Sequence, residues 1–334
     1  MRVLVTGGAG FIGSHTAAAL VEKGFAPIVA DNFSTSSTEI PERIAAASGG
    51  EVKSVQVDFR YQQDVERMLE EERPEAVIHF AGRKSVEESL EQPLAYYEHN
   101  MAASIHLIRA MKKTGVNRLI FSSSATIYGT EAPVPAAETA PAVPFNPYGR
   151  SKLMVEQVLQ DEAAADPDWR IAVLRYFNPV GAHPSRLIGE NPRTKPGNLA
   201  PVLMQVLRGD LPYLRIFGND YDTHDGTAVR DYVHVCDVAE GHTAALQYLE
   251  DHPGCHLFNI GTGTGASVLD MKTMMEKVSG RTIPFRFEPR RRGDAAVSVA
   301  DVSRAEQHMN WRAARSLEDM CRDLWQWKKS IGEV

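Results

Sequence analysis

Along the first half of the chain, short runs that are apolar throughout alternate with stretches in which apolar residues return every three to four positions. Val3 to Val5 is bounded by Thr6 and Gly7, and Ser14 to Glu22 then carries helical spacing up to Gly24, which predicts strand, turn and helix. Pro27 to Ala30 predicts a second buried strand ending at Asp31, and Val52 to Val57 a third ending at Asp58. Val77 to Phe80 and Arg118 to Phe121 read as two more, separated by a helical stretch over roughly residues 93–113, and Ile171 to Tyr176 as a further one. Runs without polar alternation belong to strands covered on both faces. The pattern therefore predicts an α/β fold, a doubly wound parallel sheet with right-handed crossovers.

From Asn178 onward Pro179, Pro184, Pro192, Pro196 and Pro201 with interspersed glycines interrupt this regularity. A smaller C-terminal α/β domain is expected there, giving residues 1–177 and 178–334. Its clearest helices are expected at about 198–209, 235–249 and 268–279. Val233 and Phe258 to Ile260 read as strands returning to the first sheet, so part of 230–265 is assigned to the first domain. A length of 334 residues, 43% of them hydrophobic, suffices for two cores.

Composition narrows the function classes. Lys and Arg total 36 against 43 Asp and Glu, a formal charge of -7, which lacks the footprint of a nucleic-acid binder, so any anionic ligand must be held locally. No apolar run reaches membrane-spanning length, and Met1 to Thr6 runs straight into a glycine loop with no room for a signal segment, so a cytoplasmic location is expected. Cys236, Cys255 and Cys321 are odd in number and show no Cys-x-x-Cys spacing, which fits buried thiols in a reducing compartment. His234, Cys236, His242, His252, Cys255 and His256 have no standard ligand spacing, and no metal is expected.

Gly7, Gly10 and Gly13 stand between the first strand and helix, where a tight turn lets backbone N–H groups and a helix N-terminus approach a pyrophosphate. Asp31, ending the second strand, is placed to accept hydrogen bonds from a ribose diol and to repel a 2′-phosphate. No Arg or Lys follows until Arg43, so the cofactor expected is NAD rather than NADP. Asp58, after the third strand, either meets the adenine amino group or is a polar strand end. Tyr148 and Lys152 fall on one helix face, where the ammonium favours a phenolate able to act as base. Ser124, after the strand ending at Phe121, can bond a substrate hydroxyl that Tyr148 deprotonates. Loss of that proton with hydride loss from the same carbon yields a ketone.

These residues, with Arg175-Tyr176-Phe177-Asn178-Pro179-Val180-Gly181-Ala182 and Arg230-Asp231-Tyr232, carry a resemblance along nearly the whole chain. The sequence resembles the UDP-glucose (UDP-galactose) 4-epimerases of the extended short-chain dehydrogenase/reductase superfamily. The resemblance implies a Rossmann-like fold with a sugar-nucleotide-binding domain. It implies transient oxidation of a UDP-sugar at C4 by tightly held NAD, rotation of the 4-keto intermediate, and return of hydride to its opposite face. Beyond the glycines, Asp31 and Asp58, it implies Phe11, Ile12, Asn32, Phe59, Phe80, Ala81 and Lys84 as cofactor contacts, with Ser122, Tyr148, Lys152 and Tyr176. For the UDP-sugar it implies Ser124, Tyr148, Asn178, Asn198, Leu199, Phe217, Arg230, Arg291 and Asp294. Arg291 is thereby the exception in the run Arg290-Arg291-Arg292, which otherwise reads as solvated surface. A homodimer through helices near 93–113 and 149–164 is implied too.

Three rivals are weighed. A 4,6-dehydratase would resemble this chain but has Thr-Asp-Glu where Ser124-Ala125-Thr126 stands, and no carboxylate is here to expel water. A sugar-nucleotide dehydrogenase or reductase would consume added cofactor at each turnover. A non-catalytic nucleotide sensor would be expected to have lost Tyr148 or Lys152. Three positions depart from the family: Arg83 replaces an apolar residue beside the nicotinamide end, His99 replaces an Asn that touches the cofactor, and Ser298 replaces a bulky Tyr of narrow-specificity bacterial enzymes. A small residue at 298 leaves room beside the sugar C2 substituent, and UDP-GlcNAc and UDP-GalNAc are expected as further substrates. His183 is read as a loop residue rather than a second base.

Overall fold

The computed structural model describes residues 1–192, 197–291 and 293–334; Pro196 and Arg292 lie outside the described residues. The chain runs through β1 (Arg2–Thr6), α1 (Phe11–Glu22), β2 (Ala26–Asp31), α2 (Ile40–Ser48), β3 (Lys53–Gln56), α3 (Gln62–Glu72) and β4 (Ala76–His79). Helices α4 (Val86–Glu91) and α5 (Pro93–Tyr96), a π-helical turn over Tyr97–Ala102 and α6 (Ala103–Thr114) lead to β5 (Arg118–Ser124). A 3₁₀ turn at Ala125–Tyr128 and α7 (Pro147–Ala165) lead to β6 (Arg170–Tyr176). There follow β7 (Asn178–Val180), α8 (Leu199–Arg208), β8 (Leu214–Phe217), β9 (Val229–Arg230), β10 (Tyr232–His234), α9 (Val235–Tyr248) and β11 (Gly254–Ile260). The last elements are β12 (Ala266–Ser267), α10 (Val268–Ser279), β13 (Phe285–Glu288), β14 (Val297–Ser298), α11 (Ser303–Met309) and α12 (Leu317–Ser330).

Seven parallel strands form the main sheet in the order β11, β6, β5, β4, β1, β2, β3. Val3, Leu4, Val5, Val77, Ile78, Ile120 and Ala172 have no exposed surface, as strands covered on both faces require. Ala17, Ala18 and Ala19 let α1 lie close to the sheet and to α9. The chain leaves β1 toward β2 and β3, then returns to place β4 on the other flank of β1. The loops after β1 and β4 therefore diverge, opening a crevice at the carboxyl ends of the strands where such sheets bind ligands.

The 254–260 strand joins the main sheet beside β6, as expected for Phe258 to Ile260. Val233 does not join it: β10 pairs with β7 in a separate two-stranded sheet. The expected helix over 93–113 is broken into α5, the π-helical turn and α6. The extra residue in that turn swings Asn100 inward, and its amide accepts from Arg83 N at 2.7 Å and donates to Arg83 O and Ser151 Oγ, both at 3.0 Å. A further apolar cluster gathers Leu203, Met204, Ile216, Met271, Leu324 and Trp327, outside the main sheet. Among the described residues no helix is long and apolar enough to cross a membrane.

Candidate functional site

The glycine loop is shaped by contacts that only glycine tolerates. Gly7 has φ +64°, and a Cβ there would lie 2.8 Å from Ala81 N; a Cβ on Gly13 would lie 2.5 Å from Gly7 O. Helix α1 begins at Gly10 with no side-chain cap and no acidic residue in its first turn, so its first N–H groups and the positive end of its dipole remain open to an anion. Asp31 is buried at the end of β2 and accepts from Ala9 N at 3.1 Å, Phe33 N at 2.8 Å and Ser36 Oγ at 3.2 Å. Burial raises its carboxyl above the usual range, and these donors pull it back. Asp58 is gripped by Arg60 through Nε at 3.0 Å and a second guanidinium nitrogen at 2.7 Å, with Asn32 at 3.2 Å. That fork holds Asp58 down at about 2, a charged acceptor beside Asn32. The Phe59 ring is buried in the core against His79, and its carbonyl is bonded to His106 Nδ1 at 3.1 Å.

Across the crevice, Ser104 gives its only hydroxyl proton to Asn100 O and so accepts from His79 Nε2 at 2.8 Å. His79 Nδ1 then accepts from Thr6 Oγ1 at 2.7 Å, and Thr6 Oγ1 accepts from Ala81 N at 3.2 Å. This buried chain fixes the strand ends of β1 and β4 against each other, and with them Phe80 and Ala81. His99, one residue before Asn100, is bonded through Nδ1 to Ala95 O at 2.8 Å. The neighbouring Asn100 is the amide that ties this turn to Arg83 and Ser151. The Arg83 guanidinium bonds Glu88 at 3.2 Å and Gln92 at 3.4 Å along α4, which accounts for a charge at that position. Lys84 donates to the carboxylate of Glu190 at 2.7 Å and lies 6.0 Å from the Phe11 ring centroid.

Helix α7 starts at Pro147, capped by Asn146 Oδ1 accepting from Gly149 N at 2.7 Å, and so places Tyr148 and Lys152 in its first two turns. Gly149 is required for close approach, because a Cβ there would lie 3.1 Å from Thr126 O. Ser124 Oγ accepts from Thr126 N at 3.2 Å and from Thr126 Oγ1 at 2.9 Å, which leaves its own proton for Tyr148 or a ligand. Burial pushes the Tyr148 phenol up, against a smaller downward pull from Ser124. Lys152 is buried, donates to Ser122 O at 2.7 Å, and is lowered by burial to about 8. Tyr176 is buried beside these groups; His242 Nδ1 donates to Val238 O at 2.8 Å, so its Nε2 accepts the Tyr176 hydroxyl at 2.5 Å.

The residues that the sequence analysis left without a role lie behind this set. Glu156, one turn after Lys152, has no exposed surface and takes two bonds from Arg175, Nε at 3.1 Å and a second guanidinium nitrogen at 2.6 Å, as well as the Ser123 hydroxyl. Arg175 continues to Tyr128 Oη at 3.0 Å, and Tyr128 donates to Asn259 Oδ1 at 2.6 Å. The i, i+4, i+8 spacing of Tyr148, Lys152 and Glu156 on one helix face was the available signal.

The opposite wall comes from the C-terminal elements. Asp231 is buried and accepts from Thr262 N and Thr262 Oγ1, both at 2.7 Å, Gly263 N at 3.0 Å and Ala300 N at 3.2 Å. This knot fixes β9, where Arg230 pairs with Asp294 and stands in register with Ser298 of β14. The Arg291 guanidinium lies 3.8 Å over the Phe217 ring, while Arg290 is tied to Asp220 at 2.8 Å. Asn178 opens β7, with its N–H bonded to Asp231 O at 3.0 Å. Asn198 is exposed at the N-cap of α8 with Leu199 next to it. Ser298 borders a narrow cavity shared with Tyr128, Gly129, Thr130 and Ala136.

A family model described as "NAD dependent epimerase/dehydratase family" matches residues 3–261. The chain belongs to this family. It is 48% identical to the UDP-glucose 4-epimerase of Bacillus subtilis (strain 168) over 330 residues, 99% of this chain and 97% of that one. Among solved structures, it is similar to a UDP-glucose 4-epimerase from Stenotrophomonas maltophila with bound NAD and formylated UDP-arabinopyranose, at TM-score 0.97, 48% identity and 99% coverage of both chains. It is similar also to one from Bifidobacterium longum in complex with NAD+ and UDP, at TM-score 0.95 and 45% identity, covering 100% of this chain and 99% of that one.

His183 sits in a turn with Nδ1 bonded to Ser185 Oγ at 2.8 Å and Nε2 3.5 Å from Glu22, outside the Tyr148 set. Among the described residues, His224, Asp225 and Asp270 form a group with ligand atoms within 4.8 Å of one another; Asp270 there caps α10 and Asp225 accepts from Ser267. Burial holds His15 and His79 down at about 3 and His242 at about 4, so all three stay neutral in the fold. The unfolded chain takes up those protons near pH 6.5, so stability is complete above that value and is lost as pH falls toward 4. Urea unfolding at pH 6 and pH 5 should differ by about 3 kcal/mol, at roughly 1 kcal/mol for each histidine. Equal stability at the two pH values would contradict neutral burial.

Proposed function

We propose that this protein is a UDP-hexose 4-epimerase that interconverts UDP-glucose and UDP-galactose with NAD held tightly between turnovers. One observation carries the reading: Ser124, Tyr148 and Lys152 meet at the β1–β4 crevice between an open helix N-terminus and the Arg230–Arg291 wall. The crevice suits NAD because the close backbone packing that Gly7 and Gly13 permit, against Ala81 N and Gly7 O, shapes a cradle at the open N-terminus of α1, and because Asp31 can exchange its loop N–H donors for ribose hydroxyls. Gly10, Phe11 and Ile12 line that cradle, Asn32 and Asp58 take the adenine end, and Phe80, Ala81, Ser122 and Tyr176 take the nicotinamide end. NAD supplies acceptance of hydride from sugar C4 and its return.

Tyr148 Oη removes the C4 hydroxyl proton and later restores it, with Ser124 bonded to the same sugar oxygen. Lys152, cationic below about pH 8, stabilises the phenolate and bonds the cofactor ribose. Arg230 and Arg291 hold the diphosphate, with Asn178, Asn198, Leu199, Phe217 and Asp294 around the nucleotide. The sugar is thereby anchored only at its nucleotide end, which leaves the 4-keto ring free to turn its other face to the cofactor. Residues 1–177 form the NAD-binding domain and 178–334 the sugar-nucleotide domain, with part of 230–265 returning to the first. The protein acts in the cytoplasm as a homodimer through α5, α6 and α7.

Proton NMR of the purified protein with UDP-galactose and no added cofactor tests the reading: the UDP-glucose anomeric signal should grow. An inert sample that turns over only while consuming added NAD or NADH would favour a dehydrogenase or reductase. Ser298 extends the substrate range to UDP-GlcNAc and UDP-GalNAc, because its small side chain leaves the C2 side open. Ser298→Tyr should cut UDP-GlcNAc turnover by about 100-fold or more, with much less effect on UDP-galactose. Unchanged UDP-GlcNAc turnover in that variant would remove Ser298 as gatekeeper.

A further inference from the structure

We infer that Glu190 and Lys84 form a clasp across the cofactor crevice, and that Glu190 is a positioning residue for NAD retention. This rests on the NAD-bound reading above and adds a residue to it. The segment from Ala182 to Glu190 leaves β7 as a short hairpin, held by the Ala182–Gly189 bridge and by His183 N donating to Ile188 O at 3.1 Å. Ile188 has 1% of its surface exposed and is seated among Ala9, Ala17, Ala18 and Val29, on the flank of the glycine loop. Gly189 passes so close to Trp327 that a Cβ would lie 2.4 Å from that ring. The hairpin is thus pinned on both sides, and it delivers a buried carboxylate to a fixed point.

Lys84 comes from the other lip, after β4. Its side chain is 62% exposed whereas that of Glu190 is 9% exposed, so the flexible partner is the lysine and the rigid one is the glutamate. Their 2.7 Å ion pair carries the ammonium to the Phe11 side of the crevice, where α1 presents its open N–H groups. An ammonium has three donors, and one on Glu190 leaves two for phosphate oxygens. Without Glu190, Lys84 would have to surrender its rotamer freedom each time it held the diphosphate. With Glu190, that ordering is present before the cofactor binds, and the pair closes the crevice across the diphosphate.

The test reads cofactor, not turnover. NAD is measured in the purified protein by absorbance after denaturation, and its dissociation rate by exchange against labelled NAD. Glu190→Gln should release NAD about tenfold faster, the value of one charge-assisted hydrogen bond. Lys84→Met should release it at least as fast, and the double variant should be no faster than Lys84→Met alone, because the two side chains act as one unit. The apo-protein melting temperature of Glu190→Gln should stay within about 2 °C of the wild type. Unchanged or slower release from Glu190→Gln overturns the clasp, slower release meaning that Glu190 competes with the diphosphate. A lowered melting temperature with additive variants overturns it in favour of a purely structural role. Wild-type protein that neither contains nor binds NAD would instead overturn the function on which the clasp rests.

Discussion

Tyr148→Phe is expected to lower kcat for UDP-galactose on the order of 10³- to 10⁴-fold while NAD stays bound and the fold stays intact. In the proposed mechanism this phenol exchanges a proton with the C4 hydroxyl; it lies beside Ser124, four residues before Lys152. Burial raises its pKa, so the phenolate exists only with help. That help comes from the N-terminus of α7, where Tyr148 sits in the first turn, from the Lys152 cation, and from the positive charge of oxidised nicotinamide. Phenylalanine retains the ring and its edge-on contact with Tyr96, whose centroid is 6.4 Å away, so packing is preserved. Bound NAD, circular dichroism and kcat should be measured on one preparation. Turnover within tenfold of the wild type would exclude Tyr148 as the base.

Much of this arrangement was legible in the sequence because it depends on local order along the chain. Apolar runs alternating with helical spacing located the strands, and in a parallel sheet every strand end lies on the same edge. Gly7, Asp31 and Ser124 could therefore be assigned to one crevice without coordinates, whereas Tyr176 entered only through the resemblance. The β12–β9–β14 ribbon was not legible. Its strands are two residues long, too short for any periodicity to register, and their pairing is set by the distant Asp231 knot. Helix α12 does carry a legible start signal, the capping-box spacing of Ser316 and Asp319.

The break in the expected helix over 93–113 has a physical origin. In a regular helix over 93–113, residue 99 and residue 100 face different sides. The π-helical turn adds a residue to one turn and so rotates Asn100 into contact with Arg83 and Ser151. Nothing in the local pattern announces such a turn, since it is held by tertiary bonds. Likewise, Arg175 stood in a quoted motif, but its partners Glu156, Tyr128 and Asn259 lie 19, 47 and 84 residues away along the chain, the last reached through Tyr128.

Glu156→Gln should destabilise the protein by about 3–5 kcal/mol, the cost of leaving a buried charge without its partner. Arg175 has 4% of its side chain exposed and Glu156 1%, so neither can turn to water when the other is neutralised. Glutamine preserves the shape and can still accept from Ser123, which isolates the charge as the quantity removed. Arg175→Met/Glu156→Met should be less damaging than Glu156→Gln, because it removes both charges and leaves no ion to desolvate. The same bonds hold α7 against β5 and β6, so the loss reaches function through position: Tyr148 and Lys152 ride on the helix that Glu156 anchors. Urea unfolding of the three proteins at pH 7, where the buried histidines contribute in full, separates the cases. A Glu156→Gln variant within about 1 kcal/mol of the wild type would mean that water or a shifted side chain compensates Arg175, and that the network does not anchor the catalytic helix.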